Sequence, residues 1–187
     1  MKKILLALMC LCTAVIFTAC STESSVTTET KVSVSTDNIQ SLLDEGEKNI
    51  ADNKLDDALK NYNDALKIDP NSPEAYNGRG MVNVMKKNFG DALEDYTKVI
   101  ELAQNPAEGY SNRGQVFSEM GDKENAMGDF NKAIESDPKY SNAYSNRGAL
   151  YFNMGDKEKA IADFKKAVEL DPNNDNAQKN LKAVMES

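Results

Sequence analysis

The sequence predicts an all-α fold of stacked helix pairs, and three observations predict it. First, a short phrase returns at a fixed interval: YNGRG at 76–80 and YSNRG at 110–114 and 144–148 begin 34 residues apart. Second, small and aromatic residues recur with the same period along residues 39–174. Third, no strand-like segment follows residue 36. A period of this length is typical of a stack in which each unit faces the same neighbours.

The period divides the chain into four windows that align without gaps: 39–72, 73–106, 107–140 and 141–174. The eighth column is always Gly, the twentieth always Ala and the twenty-fourth always aromatic. These residues are Gly46, Gly80, Gly114 and Gly148; Ala58, Ala92, Ala126 and Ala160; and Tyr62, Tyr96, Phe130 and Phe164. Small residues allow two antiparallel helices to cross closely, and the ring fills the space beside them.

Local signals place the ends of these helices. NSPEA at 71–75 predicts a helix start, with Ser72 as N-cap and Pro73 as the first residue. MGDKE at 120–124 and again at 154–158 predicts the turn between two helices, with Gly ending the first and Asp beginning the second. Residues 175–186 predict a last helix with one apolar stripe, which is how a stack end is closed.

At these columns the sequence resembles the tetratricopeptide repeat (TPR) family, over all four windows. Gln104 departs from the family pattern, which has Pro there, and Pro106 lies just beyond. The resemblance implies a right-handed α-solenoid of four helix-turn-helix repeats plus a C-terminal capping helix. It also implies that the first helix of each repeat lines a concave surface, where another protein would bind.

Two columns change together and are not part of the packing pattern. Column seven holds Arg where the family usually has Leu, and column twenty-three holds Asp, in all windows but the first. The residues are Arg79, Arg113 and Arg147, with Asp95, Asp129 and Asp163. We predict structural ion pairs between the columns, within a helix pair or with the adjacent repeat; two independent solvated columns are the alternative. An exposed pair would contribute only about 0–1 kcal/mol.

A third column of repeated residues suggests a peptide-binding site. Column six holds Asn112, Asn146 and, in the last helix, Asn180. The resemblance places this column on the concave face, where an Asn side chain can donate to and accept from a peptide backbone. These three residues are therefore candidate peptide-binding residues, similar to the asparagine ladder of some TPR grooves. The alternative is soluble filler. The Lys, Asn and Arg pattern of chaperone-binding members is not present.

Residues 1–19 predict a secretory signal peptide, because two lysines precede a short apolar run and small residues end it. FTAC at 17–20 resembles a bacterial lipobox, which implies cleavage before Cys20 and lipidation of its sulfur; a plain signal peptide or an uncleaved anchor is the alternative. Residues 20–36, rich in Ser and Thr, predict a disordered tether to a TPR domain at 37–187. Ser21 favours the outer membrane over the inner membrane, by enterobacterial rules.

Composition excludes several function classes. The chain has no His, which removes Ser-His-Asp and Cys-His nucleophile systems. Acidic residues outnumber basic ones, 30 to 22, which argues against nucleic acid. Neither a phosphate-binding loop nor a metal-ligand pattern is visible. We therefore expect no enzyme activity, no cofactor or metal and no small-molecule substrate.

The leading interpretation is a lipid-anchored adaptor of the bacterial cell envelope. It would bind a segment or helix of another protein in the concave groove, in envelope-complex assembly. The alternative is a self-associating scaffold on the membrane without a dedicated peptide ligand.

Overall fold

The computed structural model describes residues 38–186, which form nine helices and no strand. The helices are α1 (38–51), α2 (Leu55–Ile68), α3 (Pro73–Met85), α4 (Phe89–Leu102), α5 (Ala107–Glu119), α6 (Lys123–Ser136), α7 (Ser141–Asn153), α8 (Lys157–Leu170) and α9 (Asp175–Glu186). The predicted signal peptide, Cys20 and the tether lie outside the described residues. No helix of the described part has the length and apolar character to cross a membrane.

The helices pack in chain order, each against its sequence neighbours. Within repeats α3 packs on α4, α5 on α6 and α7 on α8, and between repeats α2 meets α3, α4 meets α5 and α6 meets α7. The first helices also contact one another, α5 with α7 and α7 with α9, whereas no two second helices make a comparable contact among the residues described. Since the first helices lie closer together, the stack curves toward them. They line the concave side of an all-α TPR solenoid, as the sequence predicts.

The core of each repeat is an aromatic ring set against a glycine. Phe130 is 1% exposed, and the Ala of column twenty is fully buried in every repeat. A Cβ on Gly114 would lie 2.8 Å from Cε1 of Phe130 and 3.2 Å from the backbone oxygen of Ala126. Side chains of ordinary size do not fit this crossing, which is why the eighth column is always glycine.

The predicted helix ends are present. The Oγ of Ser72 accepts a hydrogen bond from the backbone N–H of Ala75 at 3.1 Å, and the carboxylate of Asp122 accepts one from Asn125 at 3.1 Å. Gly121, between α5 and α6, has φ +81°, a conformation that glycine adopts without steric cost. Each repeat therefore turns sharply between its two helices.

The last helix closes the C-terminal end of the stack. Ala177 and Val184 of α9 are buried, and Val184 packs with Phe164 and Leu181 at the end of the last repeat. The outward face of α9 is mostly polar, with Met185 exposed.

Candidate functional site

Each arginine of column seven forms an ion pair with the Asp sixteen residues later in the same repeat. In repeat three, Nε and Nη2 of Arg113 donate to the two carboxylate oxygens of Asp129 at 2.7 and 2.9 Å. Arg79 with Asp95 and Arg147 with Asp163 repeat this two-point contact. The three aspartates are only 3%, 4% and 7% exposed. The two columns are therefore not independent and solvated, and the estimate for an exposed pair does not apply to them.

The same arginines also link neighbouring repeats. Nη1 of Arg113 donates to Oγ1 of Thr97 in the preceding repeat at 3.1 Å. Arg79 and Arg147 make the equivalent bonds to Asn63 and Asn131 at 2.7 and 2.8 Å.

The guanidinium group of Arg113 also lies 5.7 Å from the centre of the Tyr110 ring, within cation–π distance. The hydrogen bond to Asp129 raises the pKa of Arg113. Sequence reasoning missed these added contacts, although a polar column twenty-five signals them. The arginine column therefore links the two helices of a repeat and joins that repeat to the one before it.

The three candidate asparagines occupy two different settings. The side-chain amide of Asn112 donates to Oδ1 of Asn77 at 2.9 Å, and that of Asn146 donates to Oγ of Ser111 at 3.1 Å. Both bonds join first helices of adjacent repeats. Asn180 instead lines a small cavity of about 160 Å³ near the C-terminal end. The structure therefore does not bring the three together as one row of free amides, and their role in peptide binding stays a prediction.

A groove of about 460 Å³ opens at the other end of the concave surface, against the first helices of repeats one to three. Apolar side chains, carboxylates and neutral amides line it. The apolar residues are Leu43, Ile50, Pro73, Met81, Val99 and Ala103, the carboxylates are Glu47, Glu74 and Glu108, and the amides are Gln40, Asn77 and Asn105. No lysine or arginine of residues 38–186 lines it.

Tyr62 lines this groove, which lies at a position where the repeat pattern changes. Repeat two has Gly78 at column six, where later repeats have Asn. A Cβ on Gly78 would lie 2.8 Å from the hydroxyl oxygen of Tyr62, and one on Gly46 would lie 2.7 Å from its Cζ. The two glycines therefore allow the ring to pack directly against the backbones of α1 and α3. Tyr62 is only 2% exposed, and no described residue hydrogen-bonds its hydroxyl. Since no fully buried side-chain oxygen of the described residues lacks a partner, the hydroxyl oxygen is the part of this side chain that solvent reaches.

The environment of Tyr62 keeps its hydroxyl protonated. Burial raises its pKa to about 12, and the nearby negative charge of Glu47 adds to the effect. At neutral pH the hydroxyl is thus a neutral group that both donates and accepts a hydrogen bond. Sequence reasoning treated column twenty-four only as packing and missed this group. The signal was that repeats one and two have Tyr there, while repeats three and four have Phe.

This pKa predicts a loss of stability at high pH. The unfolded chain loses the Tyr62 proton near the ordinary pKa of about 10, while the folded chain keeps it until about 12. Between these values the unfolded state binds fewer protons than the folded state, so the free energy of unfolding falls as pH rises. Urea denaturation between pH 9 and 12 should show a smaller fall in Tyr62→Phe. An equally steep fall in both proteins would contradict the raised pKa.

Comparison with known proteins identifies the family. The tetratricopeptide repeat model matches residues 107–140 and 141–174, and a second TPR repeat model matches 46–87, together more than half of the chain. The chain belongs to the tetratricopeptide repeat family. The first two matched ranges coincide with the third and fourth windows predicted from the sequence. A search of curated proteins gives no match.

Solved structures of TPR proteins resemble this one. MamA is 27% identical with a TM-score of 0.61, and the match covers 80% of this chain and 81% of MamA. A thermophilic TPR protein of Thermus thermophilus is 23% identical with a TM-score of 0.71, covering 79% and 81%, and shows the fold alone. The first TPR of Spaghetti (RPAP3), bound to the HSP90 peptide SRMEEVD, is 25% identical with a TM-score of 0.57, covering 61% and 93%.

Proposed function

We propose that this TPR protein is a lipid-anchored adaptor of the bacterial cell envelope that binds a segment of another protein on its concave surface. TPR proteins bind other proteins or peptides, and the Spaghetti domain is one with a peptide bound. The proposal includes no enzymatic step.

The observation that carries the binding role is the groove over Tyr62. It combines an apolar wall with a solvent-accessible hydroxyl, on an otherwise buried ring, that no residue in the described part of the chain hydrogen-bonds. Met81, on its wall, is 42% exposed. Methionine side chains are flexible and suit surfaces that bind other proteins. A surface of this kind is typical of a ligand site with a few placed polar groups.

The negative charge of the groove does not suit a peptide like the one bound to Spaghetti. The peptide bound there, SRMEEVD, ends in acidic residues. The groove here has three carboxylates on its lining and no lysine or arginine from residues 38–186. A similar acidic tail would be repelled, which agrees with the missing chaperone-binding pattern in the sequence.

The membrane anchor rests on the sequence of residues 1–20. If Cys20 is lipidated, labelling of cells with an alkyne fatty acid should mark the protein, and Cys20→Ala should remove both the label and the membrane association. A Cys20→Ala protein that still carries the label would contradict the anchor.

The binding role is tested by photo-crosslinking in native membranes. A photo-reactive residue at Met81 reports on the groove, and one at Glu135, exposed on the second helix of repeat three, serves as the control. We expect one protein to be captured from Met81 and not from Glu135. Capture of the protein itself would favour the scaffold alternative, and equal capture from both positions would contradict a groove-specific partner.

A further inference from the structure

The groove over Tyr62 carries negative charge that nothing in the described chain neutralises. None of Glu47, Glu74 and Glu108 forms an ion pair with a described residue. Glu74 and Glu108 accept hydrogen bonds only from neutral groups, Ser72 Oγ at 3.2 Å and Asn77 Nδ2 at 2.9 Å. A concave surface lined by one sign of charge concentrates its field and attracts the opposite charge.

The Tyr62 hydroxyl supplies an independent observation. The Tyr62 side chain is almost entirely buried, no group of residues 38–186 hydrogen-bonds its hydroxyl, and the hydroxyl oxygen remains accessible to solvent. Its oxygen accepts hydrogen bonds, and the groove is the side on which it meets open space. An N–H donor entering the groove would hydrogen-bond to this oxygen in place of water. The other aromatic rings of column twenty-four do not offer the same group at this groove.

The apolar wall limits which donor fits. Leu43, Ile50 and Met81 line the same groove as the carboxylates. A lysine or arginine side chain has a methylene stem that packs on apolar surface and a charged end that donates hydrogen bonds. A metal ion would not use the apolar wall, and the described residues form no cluster of three or more metal-ligating groups.

We propose that this groove is a socket for a lysine or arginine side chain of the partner segment, flanked there by apolar residues. The charged end lies between Tyr62 and the carboxylates, and the stem packs on the apolar wall. This inference rests on the proposed function and names the chemistry of its partner. It predicts a basic partner segment, the opposite in charge of an acidic tail.

The test uses the full-length protein and three short capped peptides as probes. They share apolar flanks and differ only in a central Lys, Leu or Glu. We expect the Lys peptide to bind at least tenfold more tightly than the Glu peptide, with a preference that shrinks as salt is added. Tyr62→Phe should weaken the Lys peptide about tenfold without shifting the thermal midpoint, because only one hydrogen bond to a charged group is lost. Equal binding of the three peptides, or tighter binding of the Glu peptide, would overturn the socket.

Charge variants separate a specific socket from general attraction to an acidic protein. Replacing Glu47, Glu74 and Glu108 with Gln should remove the preference for the Lys peptide. The matched control replaces three exposed glutamates elsewhere, Glu124, Glu135 and Glu158, with Gln and changes net charge equally. The control should keep the preference; an equal loss in both variants would show non-specific attraction and overturn the proposal.

Three further outcomes identify the occupant and separate the socket from the adaptor role. If Lys31→Ala makes the Lys peptide bind more tightly, the chain's own N-terminal segment competes for the socket, and the assignment to a partner is wrong. If the crosslink from Met81 captures a partner whose attached segment has no lysine or arginine, the adaptor role stands and the socket fails. If the peptides show the Lys preference but nothing is captured, the adaptor role fails while the socket chemistry stands.

Discussion

Replacing Arg113 with alanine is expected to lower the free energy of unfolding by about 3–5 kcal/mol. Asp129 is 4% exposed and accepts two hydrogen bonds from this arginine, so the substitution leaves a buried carboxylate without its counter-charge. The bond to Thr97 of the preceding repeat is lost as well. Urea denaturation followed by circular dichroism at neutral pH measures the change.

Two controls distinguish this effect from the loss of any surface charge. Lys98 forms an ion pair with Glu101 at 2.7 Å on the exposed surface, and Lys98→Ala should leave the denaturation midpoint almost unchanged. The double variant Arg113→Met with Asp129→Leu should recover most of the lost stability, because no buried charge remains unpaired. If Arg113→Ala behaved like Lys98→Ala, the pair would be solvated rather than structural.

Replacing Phe130 with alanine is expected to destabilise the fold by about 3–5 kcal/mol. The ring is 1% exposed and packs with Ala126 and Leu150 against the close crossing at Gly114. The repeat cannot collapse fully onto the space, because Gly114 and Ala126 have little side chain to move into it. The cost therefore includes both lost burial and a cavity. Denaturation in urea and a fall in Tm measure it.

Phe152 provides the matched control, since it undergoes the same chemical change at an exposed site. It is 44% exposed on the first helix of repeat four. Phe152→Ala should lower Tm far less than Phe130→Ala. Similar losses for the two variants would show that column twenty-four is not the centre of repeat packing.

The helix pairs were predictable because a repeat places the same column against the same neighbours each time. Glycine at column eight was explained by a close helix crossing beside an aromatic ring. This explanation applies to four positions, and the structure places a ring against every one of these glycines. The Arg and Asp columns were predictable for a related reason. The first repeat lacks both residues together, which pointed to a contact between them, and there Asn61 instead donates to Glu45 at 3.3 Å.

The groove was not predictable in the same way, because it arises where the repeat is interrupted. Gly78 breaks the asparagine column, and Tyr62 adds a hydroxyl to a column that looked purely apolar. Aligning the repeats by column shows what they share, and it assigns no structural role to a residue that differs from the rest of its column. The hydrogen bond of Asn112 was not predictable for another reason. Its amide donates to Asn77 on a different helix, and a periodic pattern does not give the distance between helices.

The arginines of column seven also limit which helices can be joined by this type of contact. Each arginine donates a hydrogen bond to an acceptor in the repeat before it. A duplicated internal repeat would therefore carry both the donor and the acceptor that these contacts need. The fourth unit follows this rule through Arg147 but offers no such acceptor to the helix after it. It has Lys165 at the acceptor column, and the helix that follows has Leu181 at the arginine column. This arginine contact therefore joins repeats one to four and is not repeated between repeat four and α9.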